Sequence, residues 1–181
     1  PNCPVALPRR TKAHCPPAKQ TNMNLHITPC EPADCDTIDR LTALAYAPSG
    51  LAPDDPYFIE ITNAAQRAQQ ALVLVARQNG VPVGTLTCAL PGSSWQEIAR
   101  ADEAELRILA VAPEQQRRGI GSALVRASIE HARHAGCTAL VLSSAAWMHA
   151  GHRLYERLGF RHTPERDWQP RADVCLATYR L

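Results

Sequence analysis

The 181-residue sequence predicts a single domain of the α/β (α+β) class, with a mixed sheet flanked by helices. Three observations predict this class. Two helix-like segments come first, two runs rich in β-branched residues then flank an Asn-Gly pair, and a strand–helix–strand–helix–strand order follows. A chain of roughly 100 to 200 residues usually builds one hydrophobic core, so one domain is the simplest arrangement.

The segment 1–22 differs in composition from the rest of the chain. It contains five prolines, four basic residues and no acidic residue, whereas residues 23–181 carry 15 basic and 17 acidic residues. Little hydrophobic periodicity runs through this segment. We therefore interpret residues 1–22 as a disordered leader or upstream extension and residues 23–181 as the folded domain.

Charge, hydropathy and cysteine spacing exclude several classes of protein. The acid–base balance of residues 23–181 offers no broad basic surface for a phosphate backbone, and no apolar run approaches the roughly 20 residues that cross a bilayer. The seven cysteines form no CxxC pair and show no zinc-type His/Cys spacing. We predict a soluble cytoplasmic protein with no bound metal, no nucleic-acid partner and no membrane partner.

The first half of the domain is predicted to contain two helices and a hairpin. Asp34 to Ala45 has helical apolar spacing behind a candidate N-cap, and Pro56 to Gln70 has the composition of a second helix. The runs ALVLVAR and VPVGTLTCAL are strand-like and are separated by Asn79-Gly80, a strong hairpin signal. Two antiparallel strands are therefore expected here.

The second half is predicted to alternate strands and helices. The expected elements are a strand at Ala104 to Val111, a helix at Gly119 to Ala135, a strand at TALVLSS, a helix at Met148 to Leu158, a strand beginning at Phe160 to Thr163, and a last strand at Val174 to Arg180.

The junction QQRRGIGS, where a strand meets a helix, is a candidate anion site. A glycine-bearing turn at a helix N-terminus exposes unpaired backbone N–H groups, and Arg117 and Arg118 add positive charge. A plain turn with solvated arginines is the alternative. A P-loop would end in GK[ST], and a dinucleotide fingerprint would have a third glycine where Leu124 stands, so neither common nucleotide motif fits.

This junction resembles the acceptor loop of the GNAT superfamily of acyl-CoA-dependent N-acetyltransferases. Gln116 to Gly121 has the family's form Q/R-x-x-G-x-G/A, and the segments LAVAPE before it and LYERLGF after it match the family's neighbouring segments in order. The resemblance covers residues 23–181. It implies a mostly antiparallel central sheet of about six to seven strands with about four helices, and acetyl-CoA as co-substrate.

The resemblance also implies which residues bind coenzyme A. The backbone from Leu109 to Val111 would pair with the pantetheine arm as an added strand, and the amides from Arg118 to Ser122 would take the pyrophosphate. The implied cofactor-binding set is Leu109, Ala110, Val111, Gln116, Arg117, Arg118, Gly119, Ile120, Gly121 and Ser122.

Acetyl transfer to an amine requires a base or a water chain, because a lysine-like amine with a pKa near 10.4 is protonated at neutral pH. Glu105 stands where many family members carry a glutamate proposed as base. Strand alternation predicts Glu105, Arg107, Leu109 and Val111 on one face. A structural pairing of Glu105 with Arg107 is the alternative, and Asp102 and Glu103 are weaker candidates for the base.

Tyr155 occupies the position in LYERLGF where the family often carries a tyrosine that protonates the departing thiolate. The alternative is that Tyr155 is an ordinary aromatic side chain packed among its neighbours.

The family usually polarises the thioester carbonyl with a backbone N–H at a strand kink, which is expected near Leu109 to Val111. Two departures concern the thiol end. Met148 stands where the family often has asparagine, and Gly151 replaces the usual alanine.

The acceptor is expected to be a primary amine of a small molecule or a peptide. Carboxylates and aromatic rings in the first two helices and in TPERDWQP suit a cation, and ordinary surface composition is the alternative. These residues are Tyr46, Asp54, Asp55, Tyr57, Phe58, Glu60, Glu165, Asp167 and Trp168. A CoA-binding regulatory module without transfer activity stays open as an alternative function, and exposed edge strands allow a homodimer.

Overall fold

The structure is a computed structural model that describes residues 24–172 and 174–181. Its strands are β1 (Leu25–Pro29), β2 (Leu72–Gln78), β3 (Val81–Ala89), β4 (Glu103–Val111), β5 (Ala139–Ala145), β6 (Arg161–His162), β7 (Trp168–Arg171) and β8 (Val174–Arg180). They form one sheet in the order β1-β2-β3-β4-β5-β8-β6, with β7 paired to β8. The interpretation of residues 1–22 as a leader lies outside the described residues.

The α-helices are α1 (Cys35–Tyr46), α2 (Pro56–Ile61), α3 (Ala64–Gln70), α4 (Ile120–His134) and α5 (His149–Arg157). The predicted fold class is confirmed, although the described part of the chain has eight strands and five α-helices, whereas about six to seven strands and about four helices were expected. The single helix predicted from Pro56 to Gln70 is wrong, because it breaks at Thr62 and Asn63. The Asn63 side chain accepts a hydrogen bond from the Gln66 N–H and starts α3 as its N-cap.

The hairpin between β2 and β3 forms as predicted. Asn79 and Gly80 both adopt positive φ angles, 51° and 82°, which is the backbone of a type I′ turn. The register that follows pairs Gln78 with Val81 and Leu72 with Cys88. The Asn-Gly pair thus sets the pairing of the two strands.

Helices cover both faces of the sheet. Leu74 belongs to the main core cluster with Leu124 of α4, whereas the next residue, Val75, belongs to a second cluster with Ile38 of α1. Because successive strand side chains point to opposite faces, α1 and α4 lie on opposite sides of β2. The α5 residue Tyr155 belongs to the same cluster as Leu124.

Candidate functional site

The central strand β4 is kinked in its second half. Thr87 pairs with Arg107 but Thr85 pairs with Ala110, so two residues of β4 lie opposite one residue of β3. Ile108 takes φ 54°, which is an outlier conformation for a β-branched side chain. The kink expected near Leu109 to Val111 therefore lies one residue earlier.

This bulge changes which side chains share a face. Leu109 and Val111 pack against the main core on the α4 side, whereas Ile108 lies with Trp95 and Ile61 in a cluster on the other side. The alternation predicted for Glu105, Arg107, Leu109 and Val111 is wrong beyond Arg107, because the extra residue of the bulge shifts the side-chain period by one.

The only parallel strand pair among the described residues separates next to the kink. β4 and β5 pair from Glu103 with Ala139 to Leu106 with Leu142. On its other edge β5 pairs with β8, from Val141 with Arg180 to Ala145 with Leu176, so β5 continues past its last pair with β4. The two central strands therefore diverge, and the β5-facing edge of β4 from Ile108 onward opens into a gap.

The predicted anion loop lies at the N-terminus of α4. Arg117 and Gly119 adopt left-handed backbone conformations, with φ 61° and 84°. The Ala123 N–H donates to the Gly119 carbonyl at 3.0 Å, so the amides just before Ala123 precede the first helical hydrogen bond. The Gln116 Nε2 donates to the Val111 carbonyl at 3.3 Å across the turn.

A wide cleft of about 760 Å³ runs along this loop. Of the residues assigned to coenzyme A from the sequence, all line the cleft except Ala110 and Arg118. Ala110 is buried against Leu41 on the opposite face of the sheet. Gly121 lies so close to α5 that a Cβ atom there would be 3.3 Å from Leu154 Cδ2, which leaves the backbone as the cleft wall at that point.

A second, smaller cavity of about 220 Å³ adjoins the cleft. Its walls come from the end of α1, from α2, from the β3–β4 loop, from β4 and β5, and from β7 and β8. The two spaces share four lining residues, Leu109, Trp147, Met148 and Tyr155, which we call the junction. The junction lies where β4 and β5 diverge.

Tyr155 is the predicted catalytic residue that the structure brings to the junction. Its side chain is 7% exposed and lies between the rings of Phe160 and Tyr179 at centroid distances of 5.9 and 6.2 Å. Burial raises the pKa of the Tyr155 phenol to about 12. The phenol therefore keeps its proton at neutral pH and is able to donate it.

Glu105, the other predicted catalytic residue, lines neither of these two spaces. It is 1% exposed, and its Oε2 accepts hydrogen bonds from the backbone N–H groups of Glu97, Ile98 and Ala99 at 2.8, 2.9 and 3.1 Å. Glu105 therefore fixes the β3–β4 loop, and the structure does not bring it together with Tyr155. The alternative pairing of Glu105 with Arg107 is also not what the structure shows, because Arg107 contacts Glu97.

The weaker candidates for the base are bound elsewhere. Glu103 is 1% exposed and accepts hydrogen bonds from Arg166 and Arg180. Asp102 Oδ2 accepts from the Thr138 hydroxyl at 2.8 Å. Neither residue lines the cleft or the small cavity.

Glu97 is a carboxylate of the small cavity that sequence reasoning missed. Its Oε1 lies 2.9 Å from Arg107 Nη2, and its side chain is 36% exposed. In the sequence it is one acid in the polar segment that becomes the β3–β4 loop, and its position depends on contacts between β4 and that loop.

Ser144 was missed as well; its buried hydroxyl lines the small cavity and has no hydrogen-bond partner among the described residues.

Of the residues expected to form an acceptor groove, three of the four aromatic ones reach the small cavity, and Phe58 does not. Tyr46, Tyr57 and Trp168 line it. Two of the acids make structural contacts instead. Asp55 is held by both terminal nitrogens of Arg171, and Asp167 contacts His162 and accepts from the Thr178 N–H.

Within residues 24–172 and 174–181, His, Cys, Asp and Glu side chains form no group of three or more that could hold a metal ion. None of the helices in that part of the chain has the length and apolarity needed to span a bilayer.

Comparison with known proteins identifies the family. The model of the acetyltransferase (GNAT) family matches residues 36–160. The chain belongs to this family. The resemblance of its loop and flanking segments to GNAT enzymes is thereby confirmed, and the match includes the kinked strand, the anion loop and Tyr155.

Relatives and solved structures agree with this assignment. A GNAT acetyltransferase from Brucella melitensis, solved in complex with acetyl-CoA, is 27% identical with a TM-score of 0.57, over 85% of this chain and 87% of that one. An N-acetyltransferase from Staphylococcus aureus is 20% identical with a TM-score of 0.67, over 87% of this chain and 98% of that one, and shows the shared fold.

Among curated proteins, N-acetyltransferase family 8 member 3 of Rattus norvegicus is 33% identical over 91 residues, which is 50% of this chain. N-acetyltransferase family 8 member 7 of Mus musculus is 28% identical over 106 residues. The matched segments span 39% and 45% of those two relatives.

Proposed function

We propose that this GNAT protein is an N-acetyltransferase that moves an acetyl group from acetyl-CoA to a primary amine. The observation that carries the proposal is the meeting of two spaces, the wide cleft and the small cavity, at a junction that contains Tyr155 and the diverging strands. One space suits a long, phosphate-bearing co-substrate, and the other suits a compact acceptor.

The residues of the cleft fit acetyl-CoA. The backbone N–H groups in the first turn of α4 face the cleft as hydrogen-bond donors. The positive end of the dipole of this 15-residue helix lies at the same place, and both features suit a diphosphate. Arg117 adds a guanidinium to the same wall. Gly121 lets the first turn of α4 pack closely against Leu154 of α5, because a Cβ atom there would lie 3.3 Å from Leu154 Cδ2. The acetyl-CoA complex of the Brucella melitensis neighbour supports this use of the cleft.

The open edge of β4 fits the extended pantetheine arm. Past Leu106 this edge no longer pairs with β5, and an amide-bearing chain binds such an edge as an added strand. At the kink, the backbone N–H groups beside Ile108 are placed to polarise a thioester carbonyl. Acetyl-CoA supplies the activated acetyl group.

Tyr155 supplies a proton at the junction. A departing thiolate has a reference pKa near 8.5, below the pKa of about 12 of the Tyr155 phenol, so the transfer requires the hydroxyl to lie within hydrogen-bond reach of the sulfur and to deliver its proton as the carbon–sulfur bond breaks. No cysteine lines the cleft or the small cavity in the described part of the chain. This favours direct attack by the amine in a ternary complex.

The test is to incubate the protein with acetyl-CoA and a panel of primary amines and to detect acetylated amine by mass spectrometry. We expect an enzyme-dependent product with at least one amine. Tight binding of coenzyme A with no product from any amine would contradict the proposal and favour a CoA-binding module without transfer activity.

A further inference from the structure

The β3–β4 loop is held in place by charged side chains of β4. The Glu105 carboxylate accepts three successive loop amides, from residue 97 to residue 99. Arg107 Nη1 donates to the Trp95 carbonyl at 3.2 Å, and its guanidinium lies 5.0 Å from the centre of the Trp95 ring. Because Glu105 binds amides of this loop and Arg107 binds one of its carbonyl groups, the backbone that carries the Glu97 side chain is fixed.

Arg107 also orients the Glu97 carboxylate. Its Nη2 contacts Glu97 Oε1 at 2.9 Å, while the Arg107 side chain itself is only 7% exposed. Both residues line the small cavity. A buried guanidinium that contacts one carboxylate oxygen restrains that oxygen and leaves the other oxygen available.

The rest of the small cavity is mainly aromatic and aliphatic, with two guanidinium groups, Arg107 and Arg171, that are paired with Glu97 and Asp55. Apart from Glu97, no carboxylate belongs to its described lining, which includes Tyr46, Tyr57, Ile108 and Trp168. Its volume of about 220 Å³ is below the roughly 300 to 1,000 Å³ of typical ligand pockets. Such a space fits a compact molecule with one cationic group and an apolar body.

We propose that the acceptor is a small primary amine with an aromatic or aliphatic body, and that Glu97 binds its ammonium and removes the proton. This inference rests on the proposed acetyltransferase function. Glu97 releases this first proton to solvent; the amine nitrogen then forms a bond to the acetyl carbon and gives its second proton to Glu97, the carbon–sulfur bond breaks, and the sulfur takes the Tyr155 proton. Proton return from Glu97 to Tyr155 through solvent closes the cycle, with no oxidant or reductant.

The surroundings of Glu97 suit a base. Burial raises the pKa of the Glu97 carboxyl, with the nearby acids Glu105 and Glu60 acting in the same direction, while Arg107 lowers it. The Tyr57 phenol faces the same carboxyl from α2. A raised carboxyl pKa narrows the gap to the pKa of an ammonium, so the proton transfer becomes less unfavourable.

The acceptor class is tested by comparing catalytic efficiency across matched amines. The probes are 2-phenylethylamine, hexylamine, free phenylalanine and a five-residue peptide with a free N-terminus. We expect the first two to be acetylated with kcat/KM at least 10-fold above the last two. Faster acetylation of the peptide or the amino acid would overturn the class while leaving the acetyltransferase function intact, and acetylation of no amine would overturn both.

The role of Glu97 is tested with Glu97→Gln, which keeps the shape of the side chain and an oxygen for Arg107. We expect kcat with 2-phenylethylamine to fall about 100-fold or more at neutral pH while coenzyme A affinity stays unchanged. The residual rate should rise with pH toward the pKa of the amine, and Glu97→Asp should restore part of the loss. The matched control is Glu60→Gln, which changes a neighbouring acid outside the cavity lining. A Glu97→Gln rate within threefold of the parent would overturn the assignment.

Discussion

Two residues named from the sequence have different outcomes in the structure. Tyr155 reaches the junction of the two spaces, because it lies in a short helix that packs over the divergent strands. Glu105 instead holds the loop that carries Glu97. A pattern of strand residues indicates which positions are inward, but it does not indicate which inward carboxylate reaches a cavity and which one binds backbone.

Replacement of Tyr155 by phenylalanine removes the proton donor and keeps the ring. We expect kcat to fall about 100-fold with coenzyme A affinity unchanged, because the ring contacts with Phe160 and Tyr179 persist. Steady-state kinetics and calorimetry measure the two effects. Equal kcat values for the variant and the parent would show that Tyr155 has a purely structural role.

Gly119 is a sensitive position of the anion loop. Gly119→Glu places a negative charge beside the proposed diphosphate site, and we expect coenzyme A affinity to fall at least 100-fold by calorimetry. Gly119→Ala is the control: it bears the same left-handed φ of 84°, at a cost of about 1 to 2 kcal/mol, and its Cβ meets no atom within 4 Å. Unchanged coenzyme A affinity in the Gly119→Glu variant would show that the diphosphate does not bind to this loop.

Glu105 acts through Glu97 in this account, so their substitutions are coupled. We expect Glu105→Gln to lower kcat/KM for the amine about 10-fold and to spare coenzyme A affinity, because the loop amides lose the negative charge of the oxygen that accepts from them. Added to Glu97→Gln, it should cause no further loss of kcat. If the two losses multiply in the double variant, Glu105 acts independently of Glu97.

At the scale of elements, Glu103 joins β4 to the C-terminal part of the sheet. Burial alone would raise its pKa, but hydrogen bonds from Arg166, the Arg100 N–H and Arg180 lower it to about 2. The folded-state pKa thus lies below that of an unfolded glutamate. The stability that Glu103 contributes is present above about pH 4.5 and is lost as pH falls toward about 2.

Glu103→Gln should therefore lower the free energy of unfolding by about 3 to 5 kcal/mol near neutral pH, because Arg166 loses a buried partner. The variant should also lose less stability than the parent between pH 6 and pH 3. Thermal unfolding followed by circular dichroism measures both. The control, Glu130→Gln, breaks an exposed pair with Arg133 and should change stability by at most about 1 kcal/mol. Parallel pH profiles for the parent and Glu103→Gln would contradict this role.

Some secondary-structure elements are predicted correctly from local sequence patterns alone, and others are not. The Asn79-Gly80 hairpin and the helix after the anion loop follow from local turn and capping chemistry, which the sequence displays directly. The strand β7 was missed because Trp168 to Arg171 is short, contains Pro170 and depends on pairing with β8. The bulge at Ile108 has no glycine to mark it, so strand alternation alone could not place it.

At the scale of the whole molecule, the site is a consequence of sheet topology. The family's fold was predictable because the anion loop, its flanking strand and the later helix follow one another in the chain. The acceptor cavity was not, because its walls come from α1, α2, the β3–β4 loop and the C-terminal strands, which are distant in sequence. The two spaces form one site only because β4 and β5 part after Leu106.

The most direct measurement is a crystal structure of the protein with coenzyme A and 2-phenylethylamine. We expect the diphosphate to bind the amides between Gln116 and Ser122 and the sulfur to lie at the junction beside Tyr155. The amine nitrogen should lie within hydrogen-bond distance of Glu97. A coenzyme A molecule bound away from this loop, or an amine bound outside the small cavity, would contradict it.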